Sequence, residues 1–327
     1  MSSQTNDASA SLGTGTGVMA PVAQPITSEK RGWWKSRSER KNLLLGLLFI
    51  SPWVFGLLAF TLYPILWTIR LSFTKYAGFG TPENIGLANY RRLLDDPLFT
   101  KSLWNTLYYT GLAVPIGVVV AMVLALAMNQ DLPEIPIYRV ILYLPSILPL
   151  FATAFIFWAL LDPNKGIVNE FLRQLGLHPP NWFGDPRYAK LGIVIMAQFG
   201  AGQIALVFLA GLKGIPQSLH EAAMLDGAGA VRRFFNVTLP LMTPVILYDI
   251  ILGLSGGLQA FVQSYIITKG GPANSTTFIV NHLYNNAFRY GQLGYAAAIG
   301  VFLFVLTFAL AILIFQTSNR WVHYDLT

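Results

Sequence analysis

The sequence predicts an all-α integral membrane protein with six transmembrane helices, on three observations. First, only 11% of the 327 residues are charged while 54% are hydrophobic. A soluble chain typically carries about 25% charged residues, so lipid is the main solvent. Second, six apolar runs reach membrane length, since a hydrocarbon core of about 30 Å takes roughly 20 apolar residues in a helix. Third, the densest basic group, "EKRGWWKSRSERK", abuts the first of these runs. That placement fits anchoring at an anionic lipid surface better than nucleic-acid binding, despite a net charge of +7.

The elements follow in chain order. Residues 1–28 are rich in Ser, Thr, Ala and Gly and show no period, so residues 1–42 are expected to form a disordered, basic N-terminal tail. They do not read as a secretory signal, because the basic cluster comes late and the apolar run behind it is too long. The six spans are expected at 43–69, 103–128, 140–161, 191–212, 241–268 and 293–315, within a membrane domain 43–318. A C-terminal tail, 319–327, follows. Pro52, Pro64, Pro115, Pro145, Pro149 and Gly253 fall inside spans. Neighbouring helices can satisfy the backbone groups such residues free, so they do not veto a span. The "GLSGG" of 253–257 is a small-xxx-small pattern that lets helices approach closely.

Lys and Arg divide evenly between the two sides of such a topology, so the total does not orient the chain. Lys30, Arg31, Lys35, Arg37, Arg40 and Lys41 all precede the first span. The positive-inside rule weights such charges and predicts both termini in the cytoplasm. The linker between spans four and five is then cytoplasmic.

That linker, 213–240, contains "EAAMLDGAGAVRRFFNVTLP". It is too polar for lipid and too patterned for a slack loop. Ser218 and Glu221 stand three apart, which predicts a capping box. Gly227, after Asp226, is placed to end that helix in a left-handed conformation. A second short helix is expected from Ala230, with Val231, Phe234, Phe235 and Thr238 on one face and Arg232, Arg233 and Asn236 on the other. Pro240 then opens the fifth span, where a missing N–H costs little. From the residues alone, two readings stand: an amphipathic hairpin resting on the membrane surface, or an element that inserts into a groove of another protein.

The same stretch resembles the EAA motif of binding-protein-dependent ABC importer permeases: Glu221, Ala222, Ala223, then Gly227, then Val237 where the motif has Ile, then Leu239 and Pro240. A second match, "ITKGGPANSTT" followed by "YNNAF…GYAAAIGVFLF", is similar to the maltose-type sugar permease subunit with a Gly-Gly-Pro loop. The resemblance covers residues 43 to 320. It implies the type I ABC importer permease fold in a bacterial cytoplasmic (inner) membrane. It also implies a second homologous permease subunit, two ATP-binding subunits and an extracytoplasmic solute-binding protein as partners. Ser218, Glu221, Ala222, Ala223, Asp226, Gly227, Leu239 and Pro240 would form the coupling element for the ATPase. Gly270, Gly271 and Pro272 would meet the binding protein.

The chain has no GxxxxGK[ST] sequence to cradle a phosphate, so ATP and Mg belong to partner subunits and no cofactor is expected here. His178, His220, His282 and His323 are dispersed, and no metal site is expected. No nucleophile–base arrangement marks an enzyme. Asp95 and Asp96 read as solvated surface. A solute route needs polar groups and flat apolar surfaces inside the membrane, where polar side chains usually face a cavity. Span four offers Gln198 beside Phe199, Gly200 and Gln203; span five offers Ser255, Gly257, Gln259, Gln263 and Tyr265. By distance from the two motifs, the resemblance points to Phe199, Gly200, Gln203, Gly257 and Gln259 as the pathway, and Gln263 joins them. Helix–helix hydrogen bonding is the competing role for each glutamine. Asp249, the one acid well within a span, reads as a partnered structural carboxylate or a lining residue.

The expected function is import of a carbohydrate (a mono-, di- or oligosaccharide), with a neutral sugar favoured because no arginine pattern marks spans four and five. Import of glycerol-phosphate or another polar solute is the alternative within the family. A self-contained secondary transporter is the reading outside it, although the paired internal repeats typical of that class are not evident.

Overall fold

The computed structural model describes residues 37–323. The tail expected over 1–42 lies outside the described residues as far as residue 36, and so do residues 324–327 of the C-terminal tail. The chain divides into two units, Met1–Ala59 and Phe60–Thr327. In the first, the described residues form the helix Arg37–Leu57 and the start of a π turn, Leu58–Leu62. Pro52 inside it has no N–H to offer the Leu48 carbonyl, and the Ser51 hydroxyl donates to that carbonyl instead, at 2.8 Å.

Among the described residues four helical runs are long and apolar enough to cross a bilayer: Arg40–Ser72, Pro97–Met128, Ala230–Ile267 and Leu293–Ser318. Two further pairs reach that length only when joined across a bend. Ile135–Ile147 meets Leu150–Leu160 at 98°, and Ala189–Gln198 meets Gly202–Lys213 at 49°. The expected third and fourth spans are therefore broken rather than continuous. The third breaks because proline disfavours the helical conformation in the residue before it. Leu148 accordingly sits at φ −66°, ψ 132° ahead of Pro149. The fourth breaks at Gly200, and the two breaks pack on each other. A Cβ on Gly202 would collide with the Leu142 carbonyl and lie 2.8 Å from Ser146 Oγ.

The helix Pro97–Met128 is the hub of the second unit. Asp96 caps its start by accepting the amides of Leu98 at 2.8 Å and Phe99 at 3.2 Å, with Pro97 in the first turn. Around it pack Ala189–Gln198, Gly202–Lys213, Leu239–Leu258 and the short helix Ile279–Tyr284. Small side chains permit the approach. Ala121 and Ala125 are buried against Ala205, Phe208 and Met242. A second core joins Phe99 and Leu258 to Ile279, Tyr295 and Ile299. Phe304, Phe308 and Phe315 of Leu293–Ser318, and Phe155 and Trp158 of Leu150–Leu160, remain exposed. Leaving such side chains in water forgoes about 1.5–3 kcal/mol each, which a lipid or helical neighbour recovers.

The described part of the expected C-terminal tail, residues 319–323, packs on the helices. Val322 is buried, Trp321 packs on the core around Met242, and the His323 amide donates to Thr243 Oγ1 at 3.0 Å.

Candidate functional site

The chemistry-bearing residues gather in three places. The first is a cavity of about 340 Å³ beside the hub helix, walled by Tyr109, Gly117, Gln198, Gly200, Asp249 and Gln263, with Gly253 and Gly257 on the facing helix. Glycine is required there by close approach. A Cβ on Gly257 would lie 2.8 Å from Thr110 Cγ2 and Oγ1, and one on Gly253 would lie 3.2 Å from the Val114 methyls. Polar groups around it are only partly satisfied. Gln198 Nε2 donates to the Val194 and Ala113 carbonyls at 3.0 and 3.3 Å. Thr110 Oγ1 and Gln263 Oε1 are buried without a hydrogen-bond partner among the described residues. Asp249 is buried at 8% exposure and forms no ion pair among the described residues. An unpaired buried polar group is costly, so these atoms are acceptors and donors left for a solute, water or a neighbouring subunit.

Of the pathway residues expected from sequence, Gly200, Gly257 and Gln263 meet in this cavity. Phe199 does not: its ring packs edge-on against Phe157 at 5.3 Å. Gln203 is exposed, one turn past the break. Gln259 faces a separate apolar groove of about 640 Å³, where it donates to Ser255 Oγ at 3.1 Å. Gln198, Asp249 and Tyr109 also line the cavity. Asp249 lines this cavity, with no hydrogen bond or ion pair among the described residues.

The second place is the polar linker. Its first helix is Gln217–Leu225, and its N-cap is Pro216, in an extended conformation with ψ 130°. No side chain caps it, so the expected Ser218–Glu221 capping box is not formed. The extended Pro216 starts the helix early and places Ser218 inside the first turn. The Glu221 carboxylate consequently stays exposed, with no hydrogen bond or ion pair among the described residues. The C-terminus matches expectation. Gly227 lies at φ +79°, its amide donates to Met224 O at 3.0 Å, and Ala228 N donates to Ala223 O at 2.9 Å. This pair of bonds is the Schellman ending.

The second helix is not separate. Ala230–Arg233 passes through a π turn, Phe234–Thr238, into Leu239–Leu258. The wide turn lies just before Pro240, where a regular helix would drive the proline ring into the Asn236 carbonyl. It also rotates the faces. Val231 and Phe235 are exposed with Arg232 and Asn236, while Phe234, Thr238 and Arg233 turn inward. Leu225 at 90% exposure, Val231 at 72% and Phe235 at 58% leave an exposed apolar surface around the Gly227 turn.

The third place is the loop 268–277. Gly270, Lys269, Ala273 and Asn274 all have positive φ. Thr277 Oγ1 and Thr276 Oγ1 donate to the Gly270 and Gly271 carbonyls at 3.1 and 2.6 Å. Lys101 and Asn105 of the hub helix hold the Ala273 and Asn274 carbonyls at 2.7 and 2.9 Å. Gly270 is itself buried, and the outer surface of the loop belongs to Lys269, Ala273 and Asn274. Nearby, Asp96 corrects a sequence expectation. It is not solvated surface: Oδ2 accepts the Tyr295 hydroxyl at 2.7 Å and lies 3.1 Å from His282 Nε2. Burial alone would raise its carboxyl, but the bonds from Tyr295, from the Phe99 and Leu98 amides and from His282 hold it below its ordinary value of 3.8. Burial holds His282 below 6.5 despite the opposing Asp96. His282 and Tyr295 lie far from Asp96 in sequence, and no local signal joins them.

Comparison with known proteins adds to this geometry. A family profile described as "Binding-protein-dependent transport system inner membrane component" matches residues 98–323. The chain is 37% identical to the probable ABC transporter permease protein YesP of Bacillus subtilis, covering 89% of this chain and 96% of that protein. It is 31% identical to the arabinooligosaccharides transport system permease protein AraP of the same organism, covering 94% and 97%. It is 34% identical to the lactose transport system permease protein LacF of Rhizobium radiobacter, covering 87% and 98%. A bacterial alginate ABC transporter solved with an alginate pentasaccharide-bound periplasmic protein matches with a TM-score of 0.76 at 23% identity, covering 89% of this chain and 98% of that one. At that identity the likeness establishes the fold alone.

Proposed function

This chain belongs to the family of binding-protein-dependent transport system inner membrane components, and from that premise we propose that it is one of two membrane subunits of an ATP-driven carbohydrate importer. The sugar class is supported by the relatives, whose names specify lactose and arabinooligosaccharides. One geometric observation carries the mechanism. A single helical run, 230–258, starts at the exposed Gly227 turn and ends at the cavity wall, where it contributes Asp249, Gly253 and Gly257. At 1.5 Å per residue that rod is about 40 Å long.

In this reading the membrane domain 43–318 supplies half of the pathway, with both termini cytoplasmic. The helix carrying Glu221, Ala222 and Ala223 seats in a groove of an ATP-binding subunit, through the apolar surface of Leu225, Val231 and Phe235. ATP and Mg are held by two such partner subunits. The loaded binding protein docks on the opposite face, over the loop of Gly271 and Pro272. Closure of the ATP-binding subunits pushes the coupling helix. The Gly227 turn passes that displacement to the rod, and the rod shifts the cavity between outward and inward access. Inside the cavity, Gln198, Gln263 and Asp249 offer hydrogen bonds to sugar hydroxyls, and Tyr109 offers a flat ring.

Co-purification tests the assignment. The chain is expected to carry an ATP-binding subunit and a second permease out of detergent extracts, and Gly227→Asp is expected to lose the ATP-binding subunit while keeping the permease. Isolation of a folded chain that binds neither would overturn it.

A further inference from the structure

A second cavity, of about 190 Å³, lies between the loop 268–277 and the helical segment 279–289. It is lined by Tyr265, Lys269, Asn281, Asn285 and Arg289, with Thr277 behind. Two of these are cations, two are amides, and no acid is among them. Neither Lys269 nor Arg289 enters an ion pair among the described residues. Elsewhere in the chain, Arg173 and Arg187 are paired to Glu170 and Asp185 at 2.8 and 2.7 Å. Lys269 and Arg289, both exposed, thus border one hollow that no acid lines. Asn281, at 4% exposure, is anchored by accepting the Phe278 amide. The Asn285 side-chain amide has no partner among the described residues. Beside them Phe261, Tyr265 and Tyr284 form a cluster of rings with centroids 4.9 to 5.3 Å apart.

We propose that this hollow is an anion-recognition subsite that receives the acidic group of a carboxylate-bearing saccharide before the solute reaches the inner cavity. The inference rests on the import reading and deepens it, because it replaces the neutral sugar expected from sequence with an acidic one. A concave site lined by one sign of charge concentrates ligands of the other sign. A guanidinium forks onto a carboxylate with two parallel hydrogen bonds, and an ammonium adds a point charge. Asn285 is the amide left to take a ring hydroxyl, because the Asn281 side chain already accepts the Phe278 amide and donates to the Phe261 carbonyl, and the Tyr265 ring supplies the flat face. Binding pockets for drug-sized ligands run about 300–1,000 Å³. A hollow of about 190 Å³ therefore takes the charged group and part of one ring, not a whole oligosaccharide. Tyr265 lies two residues from Gln263, which lines the inner cavity. Asp249 is on that inner side, so the acidic end is held outward and the neutral remainder points in.

The test uses the assembled transporter in nanodiscs, without ATP and without the external binding protein. Binding of D-glucuronate and of D-glucose is read by saturation-transfer NMR. The expected result is glucuronate bound about tenfold or more tightly than glucose, the worth of one charge-assisted hydrogen bond. The double variant Lys269→Gln/Arg289→Gln is expected to erase that preference and leave glucose binding unchanged. Equal binding of the two probes to the unaltered protein overturns the proposal, and so does a preference that survives the double variant. If glucuronate shows no preference while the double variant abolishes capture of the binding protein, the cations serve a carboxylate of that protein and the proposal falls. ATP-driven uptake measured alongside separates the cases: a transporter that imports sugar without this preference loses the subsite and keeps the import reading.

Discussion

Replacing Gly227 with alanine perturbs the coupling turn and almost nothing else. The backbone there is at φ +79°, and a Cβ built on it meets no atom within 4 Å. The cost is therefore conformational, with no collision to relieve. A left-handed residue bearing a Cβ costs about 1–2 kcal/mol, and alanine in addition favours continuing the helix past Leu225. That energy corresponds to roughly a 5–30-fold loss in the population of the bent form. If the bend passes motion from Gln217–Leu225 to the rod, ATP-driven uptake in proteoliposomes should fall by a similar factor. Gly227→Asn should fall far less, because asparagine tolerates the left-handed region. The folded chain should melt within a few degrees of the parent in both cases. Uptake unchanged by alanine, or alanine and asparagine losing uptake equally, would refute the reasoning.

Three further outcomes are expected. Asp249→Asn removes an unpaired charge from a buried wall, so thermal stability should hold or rise while sugar uptake drops; a joint loss of both would make Asp249 structural. Leu225→Asp alters a side chain at 90% exposure, so the chain should melt as before while an ATP-binding subunit no longer co-purifies. His282 is held below its ordinary 6.5, so the folded state binds fewer protons than the unfolded chain and stability declines as pH falls below 6.5. Asp96, lowered from 3.8, adds its own loss only in stronger acid, as pH falls below 3.8 toward its folded value. Melting temperatures between pH 5 and 8 should therefore slope upward, and His282→Gln should flatten that slope.

Much of this architecture was legible because it depends on runs of residues. Apolar length located the long helical runs, and the spacing from Glu221 to Pro240 located the polar linker with its glycine turn. Gly227 was legible as a turn because only a local backbone rule decides it. Features set by partners distant in sequence were not. Asp96 looked like an exposed acid because the groups that hold it, His282 and Tyr295, sit at the far end of the chain. The set of residues lining the inner cavity differs from the expected pathway set for a related reason. The break at Gly200 sets which side of the fourth span faces inward, so Gln198 reaches the cavity and Phe199, its neighbour, packs on Phe157. Pro149 was visible, but the 98° bend depends on how the preceding Leu148 turns. The capping box failed because Pro216, extended and upstream, takes the N-cap position before Ser218 can.

The most direct test compares vesicles containing this chain alone with vesicles containing it beside the second permease, the ATP-binding subunits and a loaded binding protein. Radiolabelled sugar uptake is measured with ATP inside and with ion gradients alone. Uptake that requires ATP and every partner, and that stops with Gly227→Asp, is the result expected. Gradient-driven uptake by the chain alone would contradict the claim that it is moved by a motor on another subunit.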